Sequence, residues 1–538
     1  MAEPICGFKS ETRLGFWPLA GLVILGALAS NWAVSVLEGK SPAVLGLLVV
    51  GILVAGTLVT YVLRNPDFDT AVKLMVVTLP MTAALVIDIG GSIRITYLFT
   101  LLAVVLGFRT GSFKISSGTI TTFCLHAYVV YALFSTTYTF LIPDIRALTV
   151  VGFRGSVFRS LIQFGQLVLM VTVFHVILSY ARSRVRVERV CTLIFWSMFL
   201  ASAFGLYEFL VFTFDLPFVN LHTTPLDTAE GPLSLEKRLI DDHFLGGMRS
   251  IAGVDVVRPR SFLSEPIEFA SFLLFSVPFS VIAARVSSTQ GRRQLKMACV
   301  FVAVVLFLLA NARAGFVAVA GVLPVLLIWA PNAKTRRRVV GGIVGFLIFI
   351  GFAIFPLLGA VGGISGLIEF VRSNYEFILS MEGRGGSLKA GVNEPLQVFL
   401  VNPLLGVGIG NYPFYLSLAS YGTSVATTGS IYASVITELG IVGSIFFLGF
   451  IGSIILGLLR LLRRGRDPWL RGLAYGTLIS IVGAMISRAA TSGLYTDSYL
   501  WVMWALGAAL PTLASQREGS APKPAIAINR VDSGAPQA

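Results

Sequence analysis

Two arginines stand just ahead of a proline-started segment in Arg258-Pro259-Arg260-Ser261-Phe262-Leu263-Ser264-Glu265-Pro266. Arginines before a helix N-terminus suit an anion, because the free N–H groups and the helix dipole add to the guanidinium charge. Glu265 and Glu268 fall in the first turn of that helix. Each has two readings, a cap that compensates the dipole or a carboxylate that handles a proton. For Glu268 the capping reading is preferred; for Glu265 both stay open.

A third arginine interrupts two apolar runs in Asn311-Ala312-Arg313-Ala314-Gly315. It either snorkels to headgroups or meets an anionic partner. Further on, Glu382-Gly383-Arg384-Gly385-Gly386-Ser387 reads as a flexible basic strip. The segment Asn402-Pro403-Leu404-Leu405-Gly406-Val407-Gly408-Ile409-Gly410-Asn411-Tyr412 is glycine-rich but lacks the Gly-Lys-Ser/Thr ending of a phosphate-cradling loop. Gly406, Gly408 and Gly410 instead allow close backbone approach to a neighbour or to an extended substrate. Glu438 precedes Leu439-Gly440 inside the next apolar run, about 12 Å deep from residue 430 at ~1.5 Å per residue. A carboxylate there is either paired with a cation or protonated. Arg488 and Asp497 bracket the last turn on the same side and read as an interfacial pair.

These residues must be positioned by helices in lipid. Of the 538 residues, 55% are hydrophobic and 13% charged, about half the charge of a soluble domain. The net charge of +14 comes from short clusters between apolar runs, not from one basic face, which argues against nucleic acid. Cys6, Cys124, Cys191 and Cys299 are far apart, so neither a metal site nor a disulfide framework is expected. The first apolar run lacks a cleavage site and reads as a retained helix.

The predicted fold is an all-α polytopic membrane protein with about fourteen transmembrane helices, two long extracytoplasmic loops and both termini cytoplasmic. The apolar runs place helices at 16–37, 43–63, 70–88, 94–108, 119–140, 157–181, 190–214, 264–284, 296–310, 314–330, 339–358, 430–459, 471–488 and 496–513. The clusters at Arg182–Arg189, Arg285–Lys296, Lys334–Arg338 and Arg460–Arg471 then fall on one face, with Arg64, Arg109 and Lys114. The polar segments 215–262 and 359–429 fall on the other. The chain divides into N-terminal helices (1–189), a core with both long loops (190–462), C-terminal helices (463–513) and a disordered cytoplasmic tail (514–538). An enzyme outside the cytoplasm has no ATP or nucleotide sugar, so a membrane-borne, lipid-linked donor is the natural substrate.

The order of these motifs, closing on Glu438-Leu439-Gly440-Ile441-Val442-Gly443, resembles the O-antigen ligase and polymerase superfamily, including exopolysaccharide repeat-unit polymerases. The resemblance covers roughly residues 200–460; Asn402–Tyr412 and Glu438–Gly443 are its most specific parts. It implies a multi-span glycosyltransferase of the bacterial inner membrane, using a glycan on polyprenyl diphosphate as donor, with no metal or other cofactor. Membrane lipids, a flippase and chain-length or export proteins of the same pathway are the further implied partners. Arg313 matches the family's Ser-Arg-x-Gly hairpin, with Ala312 in place of Ser. Either Arg258 or Arg260 matches the arginine before the next helix, and Arg384 matches the family's Gly-Arg. Asn411 and Tyr412 are candidate substrate contacts, while Gly406, Gly408, Gly410, Glu438 and Gly440 are candidate supports.

The ligase branch carries a histidine eleven residues before the glycine of Glu-Leu-Gly; here that position is Gly429. The departure favours polymerase over ligase and leaves Glu265 as the candidate base, with Arg313 the second catalytic candidate. A flippase of lipid-linked sugars ranks third, because the notable charges crowd one side rather than lining a central path.

Overall fold

The computed structural model describes residues 67–81, 86–88, 92–115, 118–138, 156–214, 248–251, 254–261, 263, 266–310, 312–330, 333, 336–337, 340–341, 388–415, 430–490 and 497–520. Over these residues the chain is a multi-pass, largely helical membrane protein. Helix α1 (Phe68–Val77) starts on Asp67, whose carboxylate accepts the Thr70 N–H at 2.8 Å. A hairpin of β1 (Val86–Asp88) and β2 (Ser92–Arg94) follows, with Ile87 opposite Ile93. Next come α2 (Ile95–Arg109), α3 (Ile120–Tyr138), α4 (Ser156–Tyr180) and α5 (Arg184–Phe214). A second hairpin, β3 (Met248–Ile251) and β4 (Val254–Val257), precedes α6 (Pro266–Arg285), α7 (Gln290–Leu309) and α8 (Arg313–Ile328). The chain continues through α9 (Leu388–Val401), the single turn α10 (Tyr412–Tyr415), α11 (Ile431–Arg464), α12 (Pro468–Ser487) and α13 (Ser498–Ser520).

The expectation of about fourteen spanning helices is corrected here. Among the described residues, 6 helices are long and apolar enough to cross a membrane: Ile120–Thr137, Arg159–Tyr180, Arg184–Leu210, Pro266–Arg285, Ile431–Arg464 and Pro468–Ser487. Several apolar runs fail for separate reasons. The run at 70–88 is not one helix: α1 stops at Thr78 because Pro80 has no N–H to continue the ladder, and the chain then enters a β-hairpin. Helix α2 has 15 residues, roughly 22 Å against a hydrocarbon core of about 30 Å. The first two turns of α7 carry Arg292, Arg293 and Lys296. The polar segment 359–429 contains α9, and 215–262 contains the second hairpin. The expected helices at 16–37 and 43–63, most of 339–358, and both termini lie outside the described residues.

Helix α13 is the central post. Tyr499 to Leu506 are each exposed by 1% or less, and the helix packs on α4, α6, α11 and α12. A helix apolar on every side belongs inside a bundle. Around it α3 packs on α11, α6 on α5, α7 and α12, and α8 on α12. Polar pairs also link these helices: Nε2 of His126 and Nε2 of His175 are 3.0 Å apart between α3 and α4, and the buried Ser271 and Ser487 hydroxyls are 2.6 Å apart between α6 and α12.

The basic loops meet at one end. Arg184 lies 4.6 Å above the Trp469 ring and Arg463 lies 4.6 Å above Trp329. Arg189 bonds Asp69 at 2.5 Å, and Lys296 donates to the Ala283 carbonyl at 3.1 Å. Helices that begin at this end finish at the other, where Arg94, Glu208, Arg258, Arg260, Arg488 and Asp497 gather at helix ends and turns.

Candidate functional site

The arginine turn before α6 is held from two sides. Glu208, in the C-terminal half of α5 and 1% exposed, accepts the backbone N–H groups of Arg260 and Ser261 on one oxygen, each at 2.8 Å. Its other oxygen lies 3.7 Å from Arg260 Nε. A carboxylate carried inside an apolar bundle needs such charge-assisted bonds to offset its lost hydration. Ser261 takes a left-handed backbone, φ 59°, at a cost of about 1–2 kcal/mol for a residue with a Cβ. Its hydroxyl donates to the Ala201 carbonyl at 2.6 Å, so both Ser261 and Arg260 are fastened to α5.

Arg258 reaches the other way. Its Nε donates at 2.9 Å to the carbonyl of Ala310, the residue that caps the C-terminus of α7. Ala312 is the N-cap of α8, and Arg313 is the first residue of that helix. The turn bearing Arg258 and Arg260 is thereby tied to the turn bearing Arg313, 52 residues along the chain. Two helix N-termini, those of α6 and α8, start beside this junction. Their unsatisfied N–H groups add to the positive field of the arginines. Glu265 and Arg384 lie outside the described residues, as does Gly429.

The second construction is a broken helix. Inside α11, Gly440 has φ 61° and ψ −165°, values closed to residues with a side chain. The break removes the helical partners of Ile441 and Val442 N–H and of the Thr437 and Glu438 carbonyls. The segment after α9 supplies all of them. Ile441 N–H donates to the Pro403 carbonyl at 2.9 Å and Val442 N–H to Leu404 at 3.4 Å. Val407 N–H donates to the Thr437 carbonyl at 3.0 Å and Gly408 N–H to Glu438 at 2.9 Å. In a bilayer, where no water offers an alternative, such complete exchange is required for a helix to open. Tyr131 on α3 donates its hydroxyl to the Leu405 carbonyl at 3.2 Å.

No family model and no curated protein matches the chain.

Asn411 is fully buried. Its Oδ1 accepts the Ser160 hydroxyl at 3.1 Å and its Nδ2 donates to the Val407 carbonyl at 3.1 Å. Tyr412, 3% exposed, packs with Val398 and Val407. Both residues shape the inserted segment. Gly406, Gly408 and Gly410 all have positive φ, at 75°, 93° and 78°. Glu438 is 5% exposed, and its backbone carbonyl is the acceptor in the exchange.

Two things escaped the sequence reading. One is Glu208, although a carboxylate in an apolar run is a standing signal of function. The other is the depth of the Arg488–Asp497 pair. Arg488 is 0% exposed, salt-bridged to Asp497 and donating to the Tyr499 hydroxyl. Arg94 approaches Asp497 from β2 at 3.9 Å. Glu268, in the first turn of α6, lies within electrostatic range of Arg488. This is a closed charge network between helices, not an interfacial pair at the surface.

Proposed function

We propose that the chain is a polymerase of polyprenyl-diphosphate-linked oligosaccharide repeat units in the inner membrane of a bacterium, with its site at the end opposite the basic loops. The observation that carries this reading is the Arg258–Ala310 bond. A lipid diphosphate needs several cations around one point, and this bond ties together turns that contribute Arg258, Arg260 and Arg313. The motif order and the excess of positive charge on the other end add support.

In the proposed reaction, a hydroxyl oxygen of the incoming unit attacks the anomeric carbon of the growing chain. The bond from that carbon to the diphosphate oxygen breaks, and polyprenyl diphosphate leaves with the electron pair. Arg258, Arg260, Arg313 and Arg384 neutralise the charge that builds on the leaving group, which counts most where water is excluded. Glu265 is the candidate acceptor of the hydroxyl proton. No metal or other cofactor is part of this proposal.

The test is the size of the glycan on polyprenyl diphosphate in a deletion strain, complemented with Arg258→Ala or Arg313→Ala. Single units at the outer leaflet without polymer, in deletion and variants alike, are expected. Finished polymer stranded on the lipid would mean a ligase; single units trapped at the inner leaflet would mean a flippase.

A further inference from the structure

The arginine turn has no regular structure of its own: Arg258, Pro259 and Arg260 run without helix or strand into Ser261. Beside the Ser261–Ala201 and Arg258–Ala310 bonds, two of its main-chain N–H groups end on one side chain of another helix. We infer that Glu208 is the positioning residue for the lipid-diphosphate site, an inference that rests on the proposed function. Both 2.8 Å bonds from the turn end on the same Glu208 oxygen, and the second oxygen faces the Arg260 side chain at 3.7 Å. The carboxylate sets the path of the main chain and the direction of the guanidinium together. Together with the Ala201 carbonyl it also holds Ser261, which has a left-handed conformation. Arg258, two residues before Arg260, reaches the Ala310 carbonyl with its Nε.

Two substitutions at position 208 should behave differently. Gln at position 208 keeps an oxygen able to accept both N–H groups, but loses the charge and turns an NH2 group towards Arg260 in place of the second oxygen. Ala removes the acceptor, leaving two buried N–H groups without it, and the turn must move to rehydrate them. A displacement of about 1 Å at a positioning group costs up to about 100-fold in function.

The experiment uses the full-length protein in lipid nanodiscs as wild type, Glu208→Ala and Glu208→Gln. Two readouts are taken: tryptic cleavage after Arg260, and affinity for undecaprenyl diphosphate. The wild type and Glu208→Gln should resist cleavage and bind within about 10-fold of each other. Glu208→Ala should be cut after Arg260 while sites at the basic end are cut as before, and its affinity should fall about 100-fold. A Glu208→Ala protein as resistant at Arg260 as the wild type overturns the inference, whatever its affinity. Cleavage of Glu208→Ala with no lipid-diphosphate affinity in the wild type would support the positioning role and overturn the functional reading instead.

Discussion

Gly406 and Gly440 meet backbone to backbone. A Cβ on Gly406 would lie 2.4 Å from the carbonyl of Glu438, and one on Gly440 would lie 2.4 Å from the Leu404 carbonyl oxygen. Both residues have positive φ, so a side chain at either would be strained even if space were made. The contact is what lets the carbonyls of Pro403 and Leu404 and the N–H groups of Val407 and Gly408 take over the hydrogen bonds of Ile441, Val442, Thr437 and Glu438.

Gly440→Ala and Gly406→Ala should therefore each destabilise the protein by at least about 3 kcal/mol, combining backbone strain with overlap against main chain that cannot swing away. Gly452→Ala is the control. It lies in the same helix with nothing within 4 Å of the added carbon, and should be neutral or stabilising by about 0.5–1 kcal/mol. Thermal unfolding in detergent reads all three. A Gly440→Ala protein as stable as Gly452→Ala would mean that the helix closes over the break without loss.

The buried Arg488–Asp497 bridge gives a second expectation. Removing one partner leaves the other charge buried, so Arg488→Leu or Asp497→Leu alone should cost about 3–5 kcal/mol. The double variant should cost less than either single change, since both charges leave together. Arg94 and Glu268 sit close enough to take part, so the cycle should be repeated with Arg94→Leu. Simple additivity in the double variant would show that the pair is not coupled.

At the basic end, Asp69 titrates usefully. Burial pushes its carboxyl up, but hydrogen bonds from Lys73 and Tyr180, with the charges of Lys73 and Arg189, outweigh burial and hold it below the ordinary carboxylate value. A depressed folded value means stability that is fully present above the unfolded value of about 3.9 and is lost as pH falls through the folded one. Asp69→Asn should lower stability by about 1 kcal/mol at neutral pH. The gap in Tm to wild type should stay constant from about pH 8 to 5 and close below about pH 4. A gap that widens on acidification would reverse the sign and exclude this account.

The sequence by itself determined that lipid is the solvent, that the basic clusters lie between apolar runs, and that arginines and glycines mark the stretches worth attention. Composition and local spacing suffice for this because transfer from water to hydrocarbon acts residue by residue. The glycines of 406–410 were legible as points of close approach and Gly440 as a support, but not as points that approach each other. Only the tertiary structure decided that pairing, and with it which carbonyls close the break in α11. It alone turned the apolar run at 70–88 into a short helix and a hairpin, because Pro80 ends a ladder that hydropathy does not see. It buried α13 at the centre, where its apolar residues face protein, not lipid. It also brought Glu208 to the turn at Arg260, 52 residues away. A hydrophobic sum cannot separate a residue facing lipid from one facing a neighbouring helix, and a hydrogen bond between distant segments leaves no periodic trace in either of them.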